Sequence, residues 1–230
     1  MANQTALIVG AGYGLSASLA RLFTREGMTV TLAARSPDKL SDLLEETGAT
    51  AHACDVSDAG QVAALFEELE TRGEVPDIVV YNPSSRVRGA VVDLDPDAVL
   101  KATTITCHGG FLVAQQAARR MLQKGGGTIL FTGASASVKG FANSSCFAMG
   151  KFGLRGLAEA MARELHPKGI HIGHFVIDGG IRQPNDPREE RGADGFLDPD
   201  AIAETYLHFI RQPRNSWAWE IELRPWVEKF

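Results

Sequence analysis

Three glycines at alternate positions, in Gly10-Ala11-Gly12-Tyr13-Gly14, stand between an apolar run and a segment of helical period. Such a turn lets backbone N–H groups close on a pyrophosphate at the positive end of the helix. Arg35 follows the second apolar run, where a site for an unmodified adenosine ribose would hold a carboxylate. Ala34 offers no acceptor, and a guanidinium fork suits a 2′-phosphate. A solvated arginine after a strand is the plainer alternative. Asp55, at the end of the third run, offers its carboxylate either to an adenine amino group or as a cap for a helix starting at Ser57 or Asp58. The pattern favours NADP(H) over NAD.

Hydroxyls that could pass a proton follow two later runs. Tyr81 ends the fourth, at the edge where parallel sheets bind ligands, and Ser135 and Ser137 follow the fifth. His171 and His174 lie three apart on a strand and so point to opposite faces. No pair among the six histidines has metal-ligand spacing, and Cys54, Cys107 and Cys146 are too scattered for a zinc ribbon or a disulfide framework. No metal is expected.

These residues need a scaffold, and the patterning supplies one. Apolar runs at Thr5–Val9, Met28–Ala33, Thr50–Cys54, Asp77–Tyr81, Gly127–Thr132, Ile170–Ile177 and Trp217–Leu223 alternate with helical segments. The segments are Leu15–Glu26, Pro37–Thr47, Gln61–Arg72, Pro96–Gln123, Phe147–Leu165 and Pro199–Arg211. That alternation predicts a Rossmann-type α/β fold, a doubly wound parallel seven-stranded sheet with helices on both faces. Ser36-Pro37 and Asp198-Pro199 each set a capping side chain before a first-turn proline. No composition break divides the chain, so residues 1–230 read as one domain. The irregular stretch Gly179–Asp198, rich in Pro, Gly and charge, reads as a lid or as a solvated excursion.

Lys+Arg of 23 against Asp+Glu of 28 gives a net charge of −5, which leaves no basic field for a nucleic-acid backbone. A hydrophobic fraction of 44% excludes disorder. No run approaches the ~20 apolar residues that cross a bilayer, and the first residues lack the basic and apolar regions of a signal peptide. A cytoplasmic protein with a small-molecule substrate, and without membrane or nucleic-acid partners, is expected.

On these residues the chain resembles the short-chain dehydrogenase/reductase family over nearly its whole length. The family's T-G-x-x-x-G-x-G appears as Val9-Gly10-Ala11-Gly12-Tyr13-Gly14-Leu15-Ser16, with Ser16 at the third glycine. Asp55-Val56 matches the aspartate motif, and Asn82 is the one identity to N-N-A-G within Tyr81-Asn82-Pro83-Ser84. Lys151-Phe152-Gly153-Leu154-Arg155-Gly156-Leu157 looks like the family's catalytic helix and fixes the register of Y-x-x-x-K. The tyrosine position is then Phe147, the serine position Ala134 and the asparagine position about Thr106. The P-G motif becomes Asp178-Gly179, and the threonine after it Gln183.

The resemblance implies an NADP(H) site of Gly10, Gly12, Tyr13, Gly14, Leu15, Arg35, Asp55, Val56, Asn82, Lys151, Gly179 and Ile181. Lys151 would hold the nicotinamide ribose. It also implies hydride transfer to or from a carbonyl compound, but Phe147 has no proton to give and Ala134 no hydroxyl to polarise an oxygen. A divergent oxidoreductase is expected, with Lys151 retained and Ser135, Tyr81 or an ordered water handling the proton. A nucleotide-binding sensor or assembly subunit without turnover is the alternative. Ala134, Phe147, Phe141 and Phe152 suggest an apolar reacting end. The long helices and the tryptophan-rich C-terminal region resemble those through which family members form dimers and tetramers, so a homodimer or homotetramer is expected.

Overall fold

Short β-branched stretches flanked by glycine pair side by side because each is apolar on both faces and needs a helical layer over each. In the computed structural model, which describes residues 4–228 except 185 and 189–191, they form one all-parallel sheet in the order β3-β2-β1-β4-β5-β6-β7. The strands are β1 Thr5–Val9, β2 Thr29–Ala34, β3 Thr50–Ala53, β4 Ile78–Tyr81, β5 Gly127–Thr132, β6 Ile170–Ile177 and β7 Glu220–Leu223. This is the expected doubly wound fold.

Period-two alternation sorts each strand between two cores. Leu7, Val9, Val79, Tyr81, Ile129 and Phe131 pack under α3 (Ala59–Thr71), α5 (Gly109–Lys124) and α6 (Ser145–Leu165). Ala6, Ile8, Ile78, Val80 and Leu130 face α1 (Leu15–Arg25), α2 (Ser41–Thr47) and α7 (Pro199–Ile210). At roughly 1.5–3 kcal/mol for each large buried side chain, these two layers dominate the fold's stabilisation.

Some boundaries differ from the sequence expectation, each for a local reason. The helix expected over Pro96–Gln123 divides into α4 (Pro96–Thr103), a wider π turn over Thr104–His108, and α5. Within that turn Thr106 Oγ1 accepts the Ser85 N–H at 3.0 Å. The segment from Pro37 begins as a 3₁₀ turn before α2, and Ser36 makes no capping bond, whereas Asp198 accepts the Asp200 N–H at 2.9 Å as expected. The last strand starts at Glu220 rather than Trp217, because the Trp217 indole donates to the Gln212 carbonyl at 3.1 Å and its ring stacks 4.4 Å from His171.

The helix layer meets β4 closely. A Cβ at Gly109 would lie 2.5 Å from the Tyr81 hydroxyl oxygen and 2.9 Å from the Val56 carbonyl oxygen. Gly109→Ala is expected to destabilise the protein by about 1–3 kcal/mol, read as a lower urea midpoint; an unchanged midpoint would mean this layer yields freely.

Candidate active site

Strands β1 and β4 are neighbours, with Val9 opposite Tyr81, yet their chains leave toward opposite faces of the sheet. This is the switch point at which open α/β sheets bind ligands. Gly10 turns the chain there with φ +82°, and its N–H donates to the Ala33 carbonyl at 2.9 Å. A Cβ on Gly10 would sit 2.7 Å from Pro83, whereas Cβ atoms on Gly12 or Gly14 would meet nothing within 4 Å. The wall is therefore tight behind the turn and open in front of it. Gly14 gives α1 no side-chain cap, and while the Ala17 N–H donates to the Gly14 carbonyl at 2.9 Å, the N–H groups of Leu15 and Ser16 are left for another acceptor. Ser16 Oγ donates to the Gly10 carbonyl at 3.1 Å and accepts the Asn82 Nδ2–H at 2.8 Å. One hydroxyl thus ties the glycine turn to the end of β4.

Two cavities open from this turn. One, of about 670 Å³, is lined by Gly12, Tyr13, Arg35, Lys39, Asp55 and Val56. Ser57 donates to the Asp55 carboxylate from its hydroxyl at 2.6 Å and from its N–H at 2.9 Å, and these bonds, with Arg35's charge, hold the carboxyl below its usual range. Asp58, not Asp55, caps α3, accepting the N–H groups of Gly60 and Gln61. Arg35 is exposed and makes no ion pair with a described residue. Lys39 is a second cation here that sequence reasoning missed.

The other cavity, about 1030 Å³, shares the glycine turn and continues to Ala134, Ser135, Phe147 and Lys151. Leu15, Asn82, Gly179 and Ile181 also line it. Lys151 is only 2% exposed, and its Nζ donates to the Thr132 carbonyl at 2.6 Å. Burial, aided by the charge of Arg86, brings its ammonium down to about 7. The Arg86 guanidinium carbon stands 3.9 Å from the centre of the Phe147 ring, and Lys151 Nζ 5.8 Å from it. Both side chains stand against this one ring.

A profile of the short chain dehydrogenases matches residues 4–185. The chain belongs to the short-chain dehydrogenase/reductase family of oxidoreductases. A crystal structure of a short-chain dehydrogenase from Rhodopseudomonas palustris is 31% identical, with a TM-score of 0.85 over 98% of this chain and 100% of that one. The cyclic-di-GMP-binding biofilm dispersal mediator protein of Escherichia coli K12 is 33% identical over 190 residues, which is 80% of this chain and 76% of the relative. A metagenomic short-chain oxidoreductase solved in complex with NADP shares the fold at TM-score 0.84 and 23% identity, over 98% of each chain.

Against the family pattern, the structure corrects one expectation about the acid. Tyr81 is 1% exposed and lines neither cavity. Its hydroxyl donates to the Ile105 carbonyl, and burial raises its pKa well above the ordinary phenol value. The cause is register: Tyr81 shares the face of Val79, which packs beneath α5. Ser135 does line the reacting cavity. Asp178 draws on it: hydrogen bonds from Ser135 and Lys139, with the charges of Lys139 and Arg224, outweigh burial and lower the Asp178 carboxyl. Ser137 is fully buried and accepts the Ala134 N–H at 3.1 Å.

The reacting end also departs from its apolar expectation. Phe141 lines it, Phe152 does not, and Arg86, Arg88 and Arg188 do. Sequence reasoning takes Arg188 only as part of the irregular stretch and passes over Arg86 and Arg88, although these follow Asn82-Pro83-Ser84-Ser85 at alternate positions. Among the described residues no group of three or more ligating side chains could hold a metal, and no helix is long and apolar enough to cross a membrane.

Tyr81→Phe removes the donor to a buried carbonyl and is expected to cost about 1–3 kcal/mol of stability. NADPH affinity, followed by fluorescence titration, should stay within twofold of the parent; a large loss would return Tyr81 to the site.

Proposed function

We propose that this protein is an NADP(H)-dependent oxidoreductase in which Lys151 itself, rather than a tyrosine, carries the proton of the reaction. One observation carries this reading: a buried amine, brought down to about 7, stands beside a phenyl ring where the family has a phenol. The open space before Gly12 and Gly14, and the uncapped start of α1, suit a pyrophosphate. Arg35 and Lys39 suit a 2′-phosphate, and the Asp55 carboxylate an adenine amino group. Asn82, Lys151, Gly179 and Ile181 would hold the nicotinamide half.

When bound, the nicotinamide supplies or accepts a hydride at the carbon of a carbonyl–alcohol pair. As negative charge develops on the carbonyl oxygen, the Lys151 ammonium donates a proton to it and becomes a neutral amine, which water then reprotonates. The Thr132 carbonyl fixes the amine's position through the reaction. In this proposal Ser135 gives its hydroxyl to the buried Asp178 carboxylate rather than a proton to the substrate.

A second reading, binding without turnover, is favoured by Ala134 and Phe147 at the family's serine and tyrosine positions. The E. coli relative is likewise named for a nucleotide it binds. Oxidation of NADPH by any carbonyl compound would remove this reading.

Residues 179–198 serve in this proposal as a lid. Its base is pinned where the Leu197 N–H donates to the Gly180 carbonyl at 2.8 Å; residues 185 and 189–191 lie outside the described set. Exposed Leu100, Phe111, Met149 and Phe152 on α4, α5 and α6 suit pairing of two copies, and three free thiols suit the cytoplasm.

Two outcomes follow. With NADPH saturating, the reductive kcat should be flat below pH 7 and fall about tenfold per unit above it, because only the protonated amine donates. Lys151→Met should lower kcat by about 10²–10⁴-fold and abolish that slope; an unchanged pH profile in the variant would assign the proton elsewhere. Separately, Arg35→Ala should weaken NADPH about tenfold or more and NADH little, as expected for one charge-assisted phosphate contact. Equal losses for both nucleotides in a fluorescence titration would refute the 2′-phosphate role.

A further inference from the structure

The reacting cavity holds more positive charge than proton transfer by Lys151 uses. Its described lining contains four cations, Arg86, Arg88, Lys151 and Arg188, and no aspartate or glutamate, on a chain whose net charge is −5. Arg188 is committed, donating to Asp186 and to the Ile181 carbonyl. Arg86 and Arg88 are not: neither makes a hydrogen bond or ion pair with any described residue. Arg86 instead rests on Phe147, 3.9 Å from the ring centre. Contact with a ring engages the π face of a guanidinium and leaves its edge of five N–H donors for a planar or tetrahedral oxoanion.

Arg86 and Arg88 are exposed, so both guanidinium edges are open to a ligand that enters the cavity. Desolvation and the charges of Arg88 and Arg188 together hold Arg86 below the ordinary guanidinium value. Nor does the dinucleotide's pyrophosphate account for Arg86. In the reading above the pyrophosphate takes the open space at Gly12 and Gly14, whereas Arg86 covers the Phe147 ring, at the family's proton-donor position. The segment that carries it is anchored, since the Ser85 N–H donates to buried Thr106.

Building on the oxidoreductase reading above, we infer that Arg86, assisted by Arg88, binds an oxoanion on the substrate, which is therefore a carbonyl compound bearing a carboxylate or a phosphate. The guanidinium fixes the anionic end, so that the carbonyl lies toward Lys151. Arg86 acts here as a specificity residue, and its stacking on Phe147 explains why a ring is kept at a position whose hydroxyl is gone.

The test is calorimetric titration of the NADP⁺-loaded protein with matched probes that cannot react with the oxidised cofactor. One arm compares 4-oxopentanoate with 4-oxopentanamide, the other 2-oxopropyl phosphate with methoxyacetone. In at least one arm the anion should bind tenfold or more tighter than its neutral partner, and that arm identifies the anionic group. Arg86→Met should cut the preference below threefold, and Arg86→Lys, which keeps the charge but not the fork, should retain part of it. If Arg86→Met shows a lowered melting temperature, Arg88→Met provides the same comparison in a folded protein. Absence of an anion preference in both arms, including no binding of either partner, overturns the inference. So does a loss in Arg86→Met that is equal for anion and neutral probe. Should NADPH titration itself be silent, the cofactor reading fails, and the anion preference is measured on the protein alone.

Discussion

At the carboxyl ends of β1 and β4 two neighbouring strands send their chains to opposite faces of the sheet, and no backbone fills the wedge between them. A doubly wound parallel sheet cannot avoid one such parting, because its right-handed crossovers must begin in both directions from somewhere. The glycine turn occupies one wall of the wedge and the segment after Tyr81 the other. The depth of the wedge, the exposure of the α1 terminus and the convergence of residues distant in sequence all follow from this parting.

The half of the site that grips a nucleotide and the half that reacts have different physical bases. The gripping half is made mainly of backbone: N–H groups, a positive φ at Gly10 and space where side chains are missing. Such a site tolerates changes like Ser16 for glycine, provided the new group finds partners, and Ser16 finds two. The reacting half is made of side chains in a desolvated pocket, where exchanging a phenol for a phenyl alters the chemistry outright. On the proposed reading, Phe147 keeps the ring of the family's tyrosine without its proton. What remains there is an electrostatic environment: two cations on one aromatic ring, one of them buried deeply enough to titrate near neutrality.

How far the sequence reveals all this depends on the kind of signal. Strand and helix periodicity, glycine spacing and the capping aspartate at Asp198 are local, and the structure agrees with them. Tyr81 was legible in principle: alternation along Asp77–Tyr81 puts it on the face of Val79, under the helices, but its place at a strand end suggested the cleft. The π turn at Thr104–His108 was not legible, since it depends on Thr106 meeting Ser85 from another part of the chain. The arginines were hidden for the same reason. Charged residues in an irregular segment look solvated until the fold shows which cavity they enter.

The hydroxyl of Ser16 joins two segments that approach a ligand from opposite sides, the turn after β1 and the asparagine after β4. A ligand that orders one segment must also restrict the other, because both share a single oxygen atom. A displacement of the turn after β1 is in this way passed to the chain that leads on to Arg86, four residues beyond Asn82. The third-glycine position of the motif, usually a mere allowance of room, has become a tether between the two walls of the cleft.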